Sequence, residues 1–440
     1  GNNILEVISS LRQIAESIRQ KPRPFLVEFM TFRMRGHEEA SGTKYYPEGI
    51  QDEWAQKDPV TNYEQYLLEL GVLSPDQINE IRAEIKTEIQ QGLELAFQEG
   101  LVEDLYAPFK QNAIKSSDNK SEKRFIDAIS DGLRQSMLKY PDLVIMGQDV
   151  AEYGGVFKIT EGFVEQFGKD RVRNTPICES AIVGAGLGLS IAGMKAVVEM
   201  QFADFATCGF NQIVNNLAKI HWRWGQNADV VVRMPTGAGA AAGPFHSQSN
   251  EAWFFHTPGL KIVYPAFPED AKGLLNASIE DPNPVLYFEH KFLYRSIKEE
   301  VSDDYFTVEI GKARTIQEGD EISVITYGLG VHWAMEVAEE NPDVSIDIVD
   351  LRTLLPLDQD AIIESVKKTG KVIVLHEDSL TGGIGAELLS IINENCFEML
   401  DAPVKRVASL DTPIPFAADL EENYLPKQRF KNSLLELVNY

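Results

Sequence analysis

The spacing of apolar residues predicts a first region, residues 1–109, that is mostly helical. An apolar run within it, Pro24–Phe32, predicts a strand, and Ser74 with Gln77 has the spacing of a capping box at the start of a helix. Two sets of apolar residues recur at helical spacing: Leu5, Ile8, Leu11, Ile14 and Ile18 in one helix, and Ile78, Ile81, Ile85, Ile89 and Leu93 in the other.

A polar stretch, residues 110–122, has almost no apolar side chains and predicts a linker. Residues 123–305 and then residues 306–440 alternate helical patterns with short apolar runs. This alternation predicts two α/β domains, each a parallel sheet covered by helices. The predicted strands are Leu143–Met146, Ala196–Met200, Val230–Met234, Lys261–Tyr264, Val285–Phe288, Glu321–Tyr327, Val344–Val349, Lys371–Leu375 and Val404–Val407.

Charge and composition narrow the classes of partner. The chain has 67 acidic and 41 basic residues, a formal net charge of −26, which repels phosphate backbones and anionic lipid headgroups. We therefore expect neither nucleic acid nor membrane as a partner. In the most apolar stretch, residues 181–200, only residues 181–194 are free of charge, and a membrane span needs about 20 residues. Three widely spaced cysteines and the lack of a signal-peptide pattern predict a cytoplasmic protein.

Six short strings follow one another in the second and third regions. They are Asn174–Glu179, Gln201–Phe205, Phe245–Ser249, His256–Ile262, Glu280–Pro284 and Asp411–Pro415. In this order they resemble the beta subunit of thiamine-diphosphate-dependent 2-oxoacid dehydrogenases, most closely the branched-chain (2-oxoisovalerate) enzymes. The resemblance implies a transketolase-like, pyrimidine-binding parallel-sheet domain at 123–305, followed by a transketolase C-terminal-like α/β domain at 306–440.

Residues 1–109 resemble the C-terminal remnant of the alpha subunit of the same enzyme. Thr31–His37 matches its active-site loop and Trp54–Pro59 its tail, so the resemblance implies an alpha–beta fusion. The alpha subunit's Gly-Asp-Gly signature, which with a following Asn holds magnesium and the cofactor diphosphate, does not occur in the 440 residues. We therefore expect a truncated piece of a longer fused protein that is inactive alone, with its magnesium ligands upstream.

The resemblance implies catalytic roles for three residues. Glu179 matches the carboxyl group that hydrogen-bonds the cofactor's aminopyrimidine ring. His246 matches an acid/base and hydrogen-bond donor at the substrate carbonyl and the lipoyl sulfur. His37 matches the alpha-subunit loop histidine that faces the cofactor, and Arg33 would order that loop or bind the substrate carboxylate. A helix-start residue, a structural histidine and a surface salt bridge remain the alternative interpretations of Glu179, His246 and Arg33.

Ile177, Glu179, Gln201 and Phe205 match positions that line the family's pyrimidine pocket. Phe205 stands where branched-chain enzymes have Tyr, so a hydroxyl contact is lost. The resemblance also implies a structural potassium site, built mainly from carbonyl oxygens. Its positions here are Val230, Val231, Ser278, Asp281 and Asn283. The implied cofactors are thus thiamine diphosphate, magnesium and potassium.

The implied activity is oxidative decarboxylation of a 2-oxo acid, with transfer of the acyl group to a lipoyl domain (EC 1.2.4 class). The implied partners are a second copy of the chain, the family having two alpha and two beta units, and the lipoyl acyltransferase core. A pyruvate dehydrogenase component remains an alternative substrate class. Two other hypotheses are a non-catalytic fragment that dimerises and docks the acyltransferase through residues 310–440, and a relative of transketolase or deoxyxylulose-phosphate synthase. The loop around His37 argues against the last of these.

Overall fold

The computed structural model describes residues 1–36, 42–44, 46–98 and 105–440, and it divides into two units, Gly1–Leu101 and Val102–Tyr440. The described part of the first unit is helical. Its helices are α1 (Ile4–Gln20), α2 (Ile50–Ala55), α3 (Pro59–Glu69) and α4 (Pro75–Gln98). None of their described side chains is fully buried.

Capping side chains fix where these helices begin. The side chain of Asn3 accepts hydrogen bonds from the second and third residues of α1. Ser74 and Gln77 form the predicted capping box, with the Gln77 amide 3.3 Å from Ser74 Oγ and the Ser74 amide 2.9 Å from Gln77 Oε1. The two helices predicted in this region are therefore confirmed.

The strand predicted at Pro24–Phe32 is wrong, because these residues form no regular element in the described part of the unit. A strand needs a neighbouring strand to bond, and the only regular elements described here are helices. Pro22 and Pro24 also lack backbone N–H donors. Leu26 is 99% exposed, so the apolar run does not mark a buried strand.

The second unit contains all the strands of the described chain. They are β1 (Lys120–Arg124), β2 (Leu143–Gly147), β3 (Val172–Asn174), β4 (Lys195–Glu199), β5 (Val230–Thr236), β6 (Lys261–Val263), β7 (Val285–His290), β8 (Lys298–Ser302), β9 (Arg314–Gln317), β10 (Ile322–Thr326), β11 (Ile346–Asp350), β12 (Thr353–Leu355), β13 (Val372–Ser379) and β14 (Lys405–Ser409). The nine strands predicted from apolar runs are all confirmed, with ends shifted by a few residues.

Helices connect these strands. They are α5 (Phe125–Lys139), α6 (Phe163–Phe167), α7 (Glu179–Ile191), α8 (Ala206–Asn211), α9 (Ile220–Trp224), α10 (Ala252–Phe255), α11 (Pro268–Glu280), α12 (Leu293–Ser296), α13 (Leu329–Glu340), α14 (Gln359–Thr369), α15 (Gly385–Cys396), α16 (Ala418–Tyr424) and α17 (Lys427–Val438). Short 3₁₀ helices at Ala203–Phe205 and Phe397–Met399 and a π-helix at Gln212–Leu217 complete the set. No helix in the described ranges is both long and apolar enough to cross a membrane.

Two sheets organise the unit. The seven-stranded sheet has the order β12-β6-β7-β5-β4-β2-β3, and the five-stranded sheet has the order β14-β13-β10-β11-β9. All neighbours are parallel except β12 and β9, which pair antiparallel at the edges. The predicted α/β class, with two parallel sheets after a helical region, is confirmed. Strand β12 comes from the C-terminal region yet completes the sheet of the preceding one.

The segment predicted as a linker, residues 110–122, lies along the second unit. Gln111 Nε2 donates to Val308 O at 2.8 Å, the Ile114 amide donates to Thr307 Oγ1 at 3.1 Å, and β1 then pairs antiparallel with β8. This pairing joins the end of the predicted linker to β8, a strand near the end of the region predicted as residues 123–305. The exact domain boundaries stay a prediction.

Candidate active site

The carboxyl ends of the parallel strands meet at one edge of the seven-stranded sheet. In open α/β sheets, ligands bind in the crevice outside this edge. The predicted site residues follow β3 (Ile177 and Glu179), β4 (Gln201 and Phe205) and β5 (His246), and these strands lie close together in the sheet order. The topology therefore brings the five residues to the same edge.

Glu179 is the first residue of α7, and its side chain is 7% exposed. Its Oε1 accepts a hydrogen bond from Gln148 Nε2 at 2.9 Å. A surface depression of about 500 Å³ lies beside it, lined by Cys178, Glu179, Ser180, Ala181, Gly184, Cys208 and Gln212. Ile177, two residues earlier, is 84% exposed. The carboxylate is thus mostly buried but borders an open surface.

A turn after β2 connects Glu179 with Gln201. Gln148 bonds Glu179, and the next residue, Asp149, accepts a hydrogen bond from Gln201 Nε2 at 3.3 Å. Asp149 has a φ of 60°, which is uncommon for a residue other than glycine and occurs often at functional sites. Neither Gln148 nor Asp149 was predicted as a site residue. Two polar residues that follow the apolar run Leu143–Met146 after a single glycine were the signal that could have found them.

His246 lies in a corner of aromatic rings. Its ring centroid is 4.8 Å from that of Phe202 and 5.6 Å from that of Phe205, with interplanar angles of 90° and 78°. Such edge-to-face packing fixes the orientation of an imidazole more closely than apolar contact alone. Because Phe202 follows Gln201 directly, the chain of contacts from Glu179 reaches His246.

Two buried polar atoms beside His246, Asp204 Oδ2 and Ser247 Oγ, have no hydrogen-bond partner among the described residues. The other oxygen of Asp204 accepts from the backbone amide and from Nε2 of Gln248, at 3.3 and 2.8 Å. Buried polar atoms without partners are uncommon in folded proteins. These two atoms fit a polar ligand group or ordered water at this place.

Lys291, which follows β7, reaches the same edge and was missed from the sequence. Its Nζ donates to Gly237 O at 2.7 Å. Burial lowers the pKa of Lys291 to about 8, although the charges of Asp204, Glu377 and Glu421 act in the opposite direction. This lysine therefore carries a positive charge in a half-buried and largely acidic environment at neutral pH.

A buried ion network lies beneath the crevice. Arg233, in β5, is fully buried and makes two bonds to Glu289, at 2.6 and 2.8 Å, and one to Glu199, at 2.5 Å. Tyr294 also donates to Glu289, at 2.8 Å. Burial lowers the pKa of Arg233, but the charges of the two glutamates raise it by more than burial lowers it. The pKa therefore lies above its ordinary value. The network joins β4, β5 and β7 below the predicted site residues.

In the first unit, His37 lies outside the described residues. Arg33 is exposed, and its backbone oxygen accepts from the Tyr46 hydroxyl at 3.0 Å. Phe32 packs against the rings of Tyr46 and Trp54, at 5.2 and 5.7 Å between centroids. Aromatic contacts therefore hold the segment that carries Arg33. The catalytic roles of His37 and Arg33 stay predictions.

The polar side chains predicted for potassium are bonded within the protein. Asp281 accepts from Asn283 through one oxygen and pairs with Lys261 through the other. The Asn283 amide group bonds the backbone of Ala107 in both directions, at 2.6 and 3.1 Å. The Ser278 hydroxyl donates to a carbonyl of its own helix at 2.7 Å. The polar side chains at these positions therefore take part in hydrogen bonds and an ion pair within the protein, and the potassium site stays a prediction.

The other two predicted potassium positions, Val230 and Val231, lie in β5 between β4 and β7. Their side chains are apolar, so they could contribute only carbonyl oxygens. Among the described residues, no group of three or more His, Cys, Asp or Glu side chains is placed to hold a metal ion.

Models of known protein families match three parts of the chain. The transketolase pyrimidine binding domain matches residues 121–296, the transketolase C-terminal domain matches residues 311–429, and the dehydrogenase E1 component matches residues 1–103. Fold and site together therefore define a transketolase-like protein with an E1-type region before it. The pyrimidine-binding match supports thiamine diphosphate as the family's cofactor.

Several curated proteins are similar to this chain. The 2-oxoisovalerate dehydrogenase subunit beta of Bacillus subtilis (strain 168) is 48% identical over 306 residues, 68% of this chain and 94% of that protein. Subunit beta 2 of the mitochondrial enzyme of Arabidopsis thaliana is 42% identical over 331 residues, covering 74% and 91%. The pyruvate dehydrogenase E1 component subunit beta of Staphylococcus aureus (strain Mu50 / ATCC 700699) is 41% identical over 315 residues, covering 71% and 96%. The chain belongs to the family of 2-oxoacid dehydrogenase E1 components.

A solved structure described as "Split gene transketolase, inactive beta4 tetramer" has a TM-score of 0.60 to this chain at 22% identity. It covers 72% of this chain and 98% of that one. At this identity the similarity supports the fold alone.

Proposed function

We propose that the chain takes part in the oxidative decarboxylation of a branched-chain 2-oxo acid and in acyl transfer to a lipoyl group. The observation that carries the proposal is the convergence of Glu179, Gln201 and His246 at one sheet edge, joined by the contacts of Gln148, Asp149 and Phe202. The family membership supports the reaction class.

The residues present fit the pyrimidine part of thiamine diphosphate. Glu179 offers a carboxylate beside a surface depression, and Gln201 and Phe205 offer an amide and an aromatic face at the same edge. When bound, thiamine diphosphate supplies the electron sink that decarboxylation of a 2-oxo acid requires. Glu179 would accept or share a proton at the ring nitrogen of the pyrimidine, and Gln148 would hold the carboxylate for that exchange.

His246 would donate a hydrogen bond to the substrate carbonyl and move a proton during acyl transfer. The rings of Phe202 and Phe205 restrict its orientation, so less motion is needed before reaction. The unpartnered Asp204 Oδ2 and Ser247 Oγ would complete the polar wall beside it. The roles that the resemblance implies for His37 and Arg33, in the alpha-type loop, stay part of the proposal.

The metal roles stay proposals. We place the magnesium ligands outside these 440 residues, since the Gly-Asp-Gly signature does not occur in them. Potassium would be held mainly by carbonyl oxygens at Val230, Val231, Ser278, Asp281 and Asn283.

A branched-chain substrate is supported by the higher identity to a 2-oxoisovalerate relative, 48%, than to a pyruvate relative, 41%. The apolar faces of Phe202 and Phe205 also suit an alkyl substituent. An apolar pocket distinguishes two substrates that differ by one methylene group by only about 1–3 kcal/mol. Such contacts therefore provide a preference of about 10- to 200-fold between the two acids.

We propose a dimer of this chain as the working unit and the lipoyl acyltransferase core as its partner. A dimer is the commonest closed assembly of identical chains and provides for two copies of the alpha-type and beta-type parts. The three cysteines form no disulfide, which suits a reducing compartment such as the cytoplasm.

Carbon dioxide release from 2-oxoisovalerate and from pyruvate tests the function. The full chain is assayed with thiamine diphosphate and magnesium, alone and together with a polypeptide that carries the Gly-Asp-Gly signature. We expect release only in the combined reaction, about tenfold faster from 2-oxoisovalerate. Faster release from pyruvate would assign the pyruvate class instead. No release from either acid would favour the non-catalytic hypothesis.

A further inference from the structure

The segment that follows β5 and leads to His246 has almost no side chains. Residues 237–243, here called the glycine–alanine segment, read Gly-Ala-Gly-Ala-Ala-Ala-Gly. With nothing larger than a methyl group, the segment cannot fix its conformation by side-chain packing. Glycine also loses more backbone freedom on ordering than any other residue. Groups outside the segment must therefore hold it in place.

Two buried carboxylates from the C-terminal region bind backbone amides of this segment. Glu377, in β13, accepts from the Ala238 amide at 2.6 Å, and Glu421, in α16, accepts from the Ala241 amide at 2.9 Å. Both glutamates are at most 5% exposed. Ala241 has a φ of 52°, an unfavourable conformation for alanine, and this is where the Glu421 bond is made.

The two terminal glycines show how closely the segment is seated. A Cβ atom at Gly237 would lie 2.0 Å from His290 Nε2, and one at Gly243 would lie 2.2 Å from a ring carbon of Phe416. Both glycines also have positive φ, 91° and 73°. The backbone therefore approaches its neighbours more closely than any side chain would permit.

Glu377 also contacts His290 through its second carboxylate oxygen. The distance from this oxygen to His290 Nε2 is 2.6 Å. Lys291, which follows His290 in the chain, donates to Gly237 O. Burial raises the pKa of Glu377, but His290, the Ala238 amide and Lys291 together lower it below its ordinary value. An ionised acceptor makes a stronger hydrogen bond to a backbone amide than a neutral one.

We propose that Glu377 and Glu421 are positioning residues for His246. They hold the glycine–alanine segment and thereby set where the imidazole stands against Phe202. This inference rests on the proposed function only for the catalytic role of His246. The effect on the segment itself is independent of the reaction, and neither carboxylate needs to touch substrate.

Hydrogen–deuterium exchange of peptides covering residues 237–249 tests the first step. Glu377→Leu removes the acceptor, whereas Glu377→Gln keeps an oxygen that can accept from Ala238. In the full chain we expect exchange about tenfold faster with leucine and near normal with glutamine. Asp347→Asn is the matched control, because Asp347 is an equally buried carboxylate in the same sheet that bonds Ser365 and Lys368 instead.

A second pair, Glu421→Leu and Glu421→Gln, keeps the test open if Glu377→Leu fails to fold. The same contrast is expected around Ala241. Unchanged exchange in the folded leucine variants would overturn the proposal, and so would an equal increase throughout the second unit, since that reports general loosening.

Turnover tests the second step and separates it from the proposed function. If the unmodified protein decarboxylates, we expect Glu377→Leu to lower kcat about tenfold with KM within about twofold, and Glu377→Gln to restore kcat. An unchanged kcat with a mobile segment would overturn the link to His246. If the unmodified protein shows no turnover even with the polypeptide that carries the Gly-Asp-Gly signature, the proposed function fails, while the exchange result still decides whether the carboxylates hold the segment.

Discussion

The carboxyl edges of the two parallel sheets differ in how far their polar residues are exposed to solvent. At the seven-stranded sheet, Glu179 borders a surface depression, and Gln201 and His246 are half-buried. At the five-stranded sheet, Asp350 and His376 are fully buried. Burial, helped by a nearby carboxylate, raises the pKa of Asp350 to about 8, and burial lowers that of His376 to about 4. Both groups at the second edge are therefore held mainly neutral near pH 7.

The difference shows that topology alone does not make a site. A parallel sheet brings polar residues to its carboxyl edge, but they can act on a ligand only where the edge stays accessible. At the five-stranded sheet the edge is used for contact instead: Tyr327, directly after β10, donates to Glu251 of the preceding domain at 2.6 Å. The edge of the seven-stranded sheet is thus accessible to a ligand, whereas the edge of the five-stranded sheet packs against the preceding domain.

The largest effect is expected from Glu179→Gln at the accessible edge. The amide cannot exchange a proton with the pyrimidine, so turnover should fall about 10³-fold, while the free energy of unfolding changes by at most about 1 kcal/mol because glutamine keeps an oxygen that accepts from Gln148. Decarboxylation kinetics and urea unfolding measure the two. Glu161→Gln, at an exposed glutamate, is the control. Near-normal turnover would remove Glu179 from its assigned role.

Arg233→Met tests how much the buried ion network beneath the same edge contributes to stability. It leaves Glu199 and Glu289 buried without their cation, and we expect the free energy of unfolding to fall by about 3–5 kcal/mol. Urea unfolding measures the loss, with Arg173→Met, at an exposed arginine, as the control. A change below about 1 kcal/mol would mean that the network adds little to the stability of the sheet.

Asp350→Asn tests the buried edge through pH. The folded protein keeps the Asp350 proton up to about pH 8 while the unfolded chain releases it near pH 4, so the free energy of unfolding falls as pH rises between these values. Asparagine removes this titration. We expect the variant to gain on the unmodified protein by about 1.4 kcal/mol per pH unit at most, measured from urea unfolding at pH 5, 6.5 and 8. Parallel pH curves would contradict the assignment.

His376→Asn should give the smallest effect, and the dependence of stability on pH that it removes runs in the opposite direction to that of Asp350. Folded His376 stays neutral down to about pH 4, whereas the unfolded chain takes up a proton near pH 6.5, so stability falls as pH falls through this window. Removing the imidazole should reduce the loss of stability between pH 7 and pH 4.5 by about 2 kcal/mol. Comparing slopes avoids the cost of the smaller side chain itself. A variant with an unchanged slope would place the acid sensitivity elsewhere.

The order of elements in the second unit could be predicted because its strands are continuous apolar runs. Val230–Met234, for example, was predicted and the strand extends to Thr236. Glu179 and His246 were predicted because family strings surround them. Glu377 was not, since its partner His290 is 87 residues away in the chain and the contact exists only after the two sheets pack.

The first unit shows the opposite case. Pro24–Phe32 has the composition of a strand, but apolar composition does not provide a partner strand, and this information is absent from a local pattern. The polar segment 110–122 illustrates the same limit, because its hydrogen bonds to residues such as Thr307 depend on a surface formed nearly 200 residues later.

The glycine–alanine segment also has a consequence for exchanging parts between related enzymes. A chimera that keeps every residue of β5, the segment and His246, but receives a foreign C-terminal region, would have an altered active-site loop, because the acceptor for Ala238 lies 139 residues further along the chain. Sequence identity around His246 would then be a poor guide to the activity of the hybrid. In such chimeras, the residues to carry over together are the amides of the loop and the carboxylates that receive them.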